Sequence, residues 1–191
     1  MDMLFNAIKL VSEAHSGQYR KGTSIPYIYH LMNVMKILLD SGCEEEVVTA
    51  GILHDSVEDT SVTIEDIEIK FGRRVASIVH GASEPEHLKK LEDKQASWKE
   101  RKQHTIDFIL NEATNEQLLV ICADKLDNVN AIREDWNSIG DKIWERFNAP
   151  KADQAWNYLS IAKAFENRSL DFGQPLSDIS RRLSNAVEFL M

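Results

Sequence analysis

The sequence predicts an all-α protein folded as one domain. Three observations carry that prediction. Only 4 Pro and 8 Gly punctuate 191 residues, which favours long helices over many turns. Apolar residues recur at helical spacing through most of the chain. No segment alternates apolar and polar residues long enough to form a strand. Hydrophobic residues make up 43 %, enough for one well-buried domain, and a second independent domain would be cramped. There is no internal repeat, low-complexity run or linker.

Leu4 to His15 places apolar residues at 4, 5, 8 and 11, the spacing of a helix face. SGQYRKGTSIP breaks the pattern with Gly17, Gly22 and Pro26. Pro26 suits the first position of the next helix, where a missing N–H is not needed. Ile28, Leu31, Val34, Met35, Leu38 and Leu39 give that helix an apolar face, and Gly42 supplies its stop. Glu44 to Glu46 place negative charge where a helix dipole favours it, at an N-terminus. Val47, Ala50, Leu53 and Val57 then line one side, while His54, Asp55, Glu58 and Asp59 share another. Thr63 with Asp66 resembles an N-cap and its third-position acid. That helix ends near Phe71-Gly72, and Arg73 to His80 form a further turn or two. Glu84 to Lys99 is polar and charged, a loop with some helix. WKERKQHTIDFILNEA is amphipathic. In NEQLLVICADKLDNVNAI an apolar run, Leu118 to Ala123, meets Asp124 at once. The remainder, to Met191, is amphipathic and rich in aromatic residues.

The formal net charge of -9 argues against a general nucleic-acid surface, which needs a basic face. It leaves room for a small phosphorylated ligand, because a few local cations suffice. Cys43 and Cys122 lie far apart, and neither belongs to a CxxC pair. Reduced thiols in a cytoplasmic setting are the plain expectation. MDMLFNAIKLVSEAH lacks the unbroken apolar core of a signal peptide. No apolar stretch approaches the roughly 20 residues that span a bilayer. Neither nucleic acid nor membrane is expected as a partner.

ILHDSVEDT, Ile52 to Thr60, sets a histidine and three acids on a segment that otherwise reads as buried. Burying unpaired charge is expensive. His30, the pair His54-Asp55, and Asp124 sit on three predicted helices, each beside apolar residues. Two imidazoles and two carboxylates could converge inside a helical bundle. A divalent cation would offset the burial of the acids and take neutral imidazoles as ligands. Mixed N and O donors suit Mn, Fe, Co or Zn better than Ca. Glu58, one turn beyond, could position or deprotonate a water at that ion. Arg20-Lys21, in the glycine-containing loop before His30, could grip a phosphate, with backbone N–H groups of the loop assisting. Asn128, one turn after Asp124, could contact a base or ribose. Arg101-Lys102 and Lys151 are weaker phosphate candidates. His15, His80, His87 and His104 have no partner visible from spacing and read as structural.

The order His30, then His54-Asp55, then Asp124 resembles the H…HD…D signature of HD-domain phosphohydrolases. GQYRKGTSIPYIYH resembles the GQxRK…PYIxH opening of the hydrolase domain in RelA/SpoT-type alarmone enzymes. ILHDSVEDT with FGRRVASIVHGAS resembles that branch's LLHDxxEDT…FGxxVAxLVxGVT. ERKQ and ADKLDNV resemble its later segments. The core motifs run over about 14–132 and a helical extension over 133–191, within one domain, 1–191. The resemblance implies an all-helical bundle around one Mn ion bound by His30, His54, Asp55 and Asp124. It implies that Glu58 and Asp59 activate and orient water. It implies that Arg20, Lys21 and Asn128 hold a nucleotide, with Lys151 a further phosphate contact. The implied reaction is hydrolysis of the 3′-pyrophosphate of (p)ppGpp to GDP or GTP and pyrophosphate. Three positions depart from the family pattern. Leu31 follows His30 where Pro is common. RKGTS is one residue longer before Pro26. Asp127 stands where His or an aromatic is common. Two other functions fit the same residues: an HD phosphohydrolase of another nucleotide, and a non-catalytic metal-containing nucleotide sensor.

Overall fold

A computed structural model of the chain describes residues 2–83 and 98–191. The polar stretch Glu84–Lys99 therefore lies outside the described residues up to position 97. Among the described residues all regular elements are helical, and pairing of extended backbone is limited to an isolated antiparallel bridge between Tyr19 and Pro26. Backbone proximity divides the chain into two compact units. The first comprises Met1–Ser83 and Asn115–Asp124, the second Glu84–Thr114 and Lys125–Met191.

In the first unit the helices are α1 (Asp2–Ala14), α2 (Ile28–Asp40), α3 (Glu45–Leu53), α4 (Ser56–Asp59), α5 (Ile64–Phe71) and α6 (Arg73–Ala82). The first ten residues of α8 (Asn115–Ile139) complete it. Helix α3 is the hub, packed on by α1, α2 and α6. The sequence predicts one apolar side for it, yet all seven residues from Val47 to Leu53 are buried. A helix buried all round belongs to the middle of a core, and here only Thr49 among the seven carries a side-chain polar group. Helix α3 also stops sooner than its apolar pattern suggests. The backbone turns at His54 and Asp55 before the single turn of α4.

Several local signals act as the sequence predicts. Glu45 and Glu46 occupy the first turn of α3. Gly42 follows α2 with φ +74°. Thr63 and Asp66 form a reciprocal capping box, with Asp66 N–H to Thr63 Oγ1 at 3.1 Å and Thr63 N–H to Asp66 Oδ2 at 3.0 Å. Pro26 behaves differently. It pairs with Tyr19 across the loop, so α2 begins two residues later at Ile28. Helix α6 is also longer than the predicted turn or two, running to Ala82.

In the second unit α9 (Lys151–Phe172) packs against α7 (Trp98–Asn111) and α10 (Leu176–Val187). Arg168 donates to the carbonyls of Leu110 at 2.8 Å and Ala113 at 3.1 Å, satisfying acceptors at the end of α7. A short 3₁₀ segment, Gly140–Arg146, presents Asp141 to the indole N–H groups of Trp136 and Trp144. No helix among the described residues is long and apolar enough to cross a membrane.

The packing of α2 on α3 depends on a missing side chain. A Cβ at Gly51 would lie 2.2 Å from Leu38 Cδ1 and 3.5 Å from Val34 Cγ1. Leu38 is itself fully buried and has nowhere to retreat. Gly51→Ala should therefore lower the unfolding free energy by about 1–3 kcal/mol, the usual range for core overpacking. Urea denaturation checks this, and an unchanged midpoint would contradict the close approach.

Candidate metal centre

The break after α3 gives the site its geometry. Adjacent residues of a regular helix point about 100° apart. Here His54 (φ -55°, ψ -38°) and Asp55 (φ -89°, ψ -7°) lie at a turn, and their side chains converge, with His54 Nε2 3.0 Å from Asp55 Oδ2. His30, in the first turn of α2, brings its Nε2 to 3.5 Å from the same oxygen. Asp124 on α8 contributes Oδ1, 3.3 Å from His30 Nε2 and 3.7 Å from His54 Nε2. Donor atoms of His30, His54 and Asp55 all fall within 4.8 Å of one another. All four residues belong to the first unit. The structure thus brings together the four residues singled out as candidate ligands.

The electrostatics ask for a cation. His54 Nδ1 lies 2.8 Å from the Gly51 carbonyl oxygen, so Nδ1 carries the proton. Its Nε2 is buried and makes no hydrogen bond. In the neutral ring that atom aims a lone pair at the lone pairs of Asp55. Only a proton or a metal ion placed among these atoms relieves that opposition. Without a metal, a proton would serve. Burial alone would lower the His54 pKa, but the Asp55 charge and the nearby carboxylate contacts lift it well above 6.5. Burial would likewise raise the Asp55 carboxyl. The His54 charge, with the His30 and His54 imidazoles close beside its Oδ2, holds it far below the ordinary carboxylate range. Two imidazoles whose Nε2 atoms face two carboxylates fit a divalent transition ion, and the Gly51 bond is the backbone support typical of a ligating imidazole.

The remaining candidates are placed as follows. Glu58 and Asp59 are exposed on α4, one turn past His54 and Asp55. Although Asp59 is exposed as a residue, partial desolvation of its carboxyl, and then the Asp55 charge, raise its pKa. Arg20 is half-buried and Lys21 exposed, in the loop closed by the Tyr19–Pro26 bridge. The N–H groups of Arg20, Thr23 and Ile25 are bonded within that loop, so these three do not serve as free phosphate donors. Asn128 is half-buried and Asp127 buried, both on α8 in the second unit. Lys151, also in that unit, ion-pairs with Asp141 at 3.0 Å and lies over the Trp144 ring at 5.8 Å.

Three neighbours of the site are not evident as such from helical spacing. Tyr27 donates its hydroxyl to Asp55 Oδ2 at 2.5 Å. Burial, and then the Asp55 charge, hold that phenol protonated above its ordinary range. His15 is buried and stacks on the Tyr27 ring at 5.3 Å. Gln18 meets His15 Nδ1 at 2.8 Å and donates to the Asp59 carbonyl at 2.8 Å. The available signal was the placement of Tyr27 one helical turn before His30.

The family model described as HD domain matches residues 7–151. The chain belongs to the HD domain family. Relatives of this HD domain include the guanosine-3′,5′-bis(diphosphate) 3′-pyrophosphohydrolase of Aquifex aeolicus (strain VF5), 33 % identical over 127 residues. That match covers 66 % of this chain and 17 % of the relative. The Danio rerio protein of the same description is 33 % identical over 143 residues, covering 71 % of this chain and 74 % of that one. The chain thus spans less than a fifth of the first relative's length, and most of the second's. Among solved structures, a metazoan ortholog of SpoT reported to hydrolyse ppGpp superposes with a TM-score of 0.71 at 25 % identity. That superposition covers 100 % of this chain and 94 % of that one. A Listeria monocytogenes EGD-e protein gives a TM-score of 0.68 at 34 % identity, covering 83 % and 99 %.

A metal ion held at His54 Nε2 would compete with the proton there. Because the His54 pKa is raised, the proton holds the site at and above pH 6.5 until the pH passes the raised value. Affinity for a divalent cation should therefore climb with pH above about 6.5 and then level off, with proton release on binding. Calorimetric titration in buffers of different ionisation enthalpy checks this. Affinity that is flat from neutral pH upward contradicts the raised His54.

Proposed function

We propose that this HD domain is a metal-dependent phosphohydrolase that removes the 3′-pyrophosphate of (p)ppGpp. The observation that carries the reading is the convergence of His30, His54, Asp55 and Asp124 on one buried point with His54 Nε2 unsatisfied. His30, His54, Asp55 and Asp124 would hold one divalent cation, most simply Mn²⁺, which supplies Lewis acidity and a lowered pKa for water. The relatives described as 3′-pyrophosphohydrolases support the substrate.

The chain's own residues divide the remaining work. Glu58 accepts a proton from the attacking water. Asp59, its carboxyl raised by burial and by Asp55, orients that water. The water oxygen forms a bond to the 3′-linked phosphorus, and the bond from that phosphorus to the ribose O3′ breaks. The 3′ oxygen leaves with a proton as the hydroxyl of GDP or GTP, and pyrophosphate departs. Arg20 and Lys21 hold phosphate by charge, Arg20 in a bidentate manner. Asn128 contacts the nucleoside. Lys151 is the weakest member of this set, since its ammonium is already matched by Asp141. A cytoplasmic setting goes with this reading, and both Cys43 and Cys122 are free thiols. Turnover of a different nucleotide is the second reading. It is favoured by the buried carboxylate of Asp127 beside the α8 segment that carries Asn128.

Glu58→Ala should lower kcat on ppGpp by about 10²–10⁴-fold, the span of general-base catalysis, while the protein still binds Mn²⁺. Product analysis should give pyrophosphate and GDP rather than orthophosphate. Wild-type turnover by Glu58→Ala would remove the proton-acceptor role. An inert ppGpp beside turnover of another nucleotide by the wild type would favour the second reading.

A further inference from the structure

The loop that carries Arg20 and Lys21 is tied to the metal cluster by side chains with no assigned role. The ties lie within the first unit. Tyr27 closes the loop, with its N–H bonded to the Gln18 carbonyl at 2.9 Å. Its ring is held between two imidazoles, His15 stacked at 5.3 Å and His30 edge-on at 5.6 Å. Its hydroxyl reaches Asp55 Oδ2, the same oxygen that faces His54 Nε2. The tautomer of His15 can be read from its neighbours. Gln18 uses its amide N–H on the Asp59 carbonyl, so its oxygen accepts from His15 Nδ1–H. His15 Nε2 is then an acceptor, facing the Ser56 hydroxyl at 3.5 Å.

We propose that Tyr27 is a positioning residue that fixes the Asp55 carboxylate for metal binding, and that His15 fixes Tyr27. This rests on the reading of His30, His54, Asp55 and Asp124 as metal ligands. Asp55 lies at a turn between two helices, where the backbone alone holds its carboxylate loosely. One hydroxyl on Oδ2 removes the rotation that would otherwise be frozen when the ion binds. Partners of this kind, acting on a ligand rather than on the ion, are typically worth ten- to a hundred-fold in metal affinity. The arrangement has a second consequence. Gln18 bonds the backbone carbonyl of Asp59 at the end of α4 while Tyr27 bonds the Asp55 carboxylate, so the same loop ties both ends of that turn.

The test is calorimetric titration of metal-stripped full-length chain with Mn²⁺, at a temperature where each variant is folded by circular dichroism. Wild type should bind, Asp55→Asn should lose binding, and Tyr27→Phe should bind about ten- to a hundred-fold more weakly. His15→Phe, which keeps a ring against Tyr27, should retain more affinity than His15→Ala. A purely structural role for Tyr27 would lower the melting temperature of stripped protein and leave the affinity of folded protein unchanged. Wild-type affinity in Tyr27→Phe overturns the positioning role while leaving the metal reading intact. Absence of Mn²⁺ binding by the wild type overturns both.

Discussion

Two carboxylates and two imidazoles meet at one point in the first unit, and the geometry there leaves a lone pair aimed at lone pairs. That opposition between His54 Nε2 and Asp55 Oδ2, 3.0 Å apart, is the constraint on which the other features of the site depend. It cannot be relieved by turning the imidazole, because Nδ1 is committed to the Gly51 carbonyl. It cannot be relieved by water at low cost, because His54 is buried. A positive charge between the groups would relieve it, whether a proton or a metal ion.

The core is built to hold that point still. Helix α3, buried from Val47 to Leu53, is packed on by α1, α2 and α6. It ends where it must for two adjacent side chains to converge. Gly51 serves twice, by letting α2 approach within the space of a missing methyl group and by offering the carbonyl that orients His54. Donors supplied by α2, the α3–α4 turn and α8 are thereby placed by packed helices rather than by loops, which is the usual requirement for precise ligand geometry. The acidic pair Glu58-Asp59 and the basic pair Arg20-Lys21 lie instead on a one-turn helix and a loop, where adjustment to a substrate is easier.

Much of this was legible in the sequence. The all-helical class followed from periodicity and the scarcity of Gly and Pro. His30, His54, Asp55 and Asp124 could be singled out because buried acids beside histidines demand an explanation. The capping box at Thr63 and the dipole-matched start at Glu45 were local and therefore readable. Long-range facts were hidden. Periodicity reports one face of α3, whereas burial on all sides depends on α1, α2 and α6 arriving together. Pro26 reads as a helix start, but its pairing with Tyr19 closes a hairpin-like loop and delays the helix. His15 and Tyr27 are twelve positions apart, so no helical spacing links them. Only the folded loop stacks them.

This buried cluster would hold the metal on which phosphate ester hydrolysis depends. The most direct measurement is pyrophosphate release from ppGpp by protein of known metal content, before chelation, after chelation, and after Mn²⁺ is restored. Expected are about one metal per chain, loss of release when the metal is stripped, recovery with Mn²⁺, and neither metal nor release in His54→Ala. Release that persists in metal-free protein would contradict it.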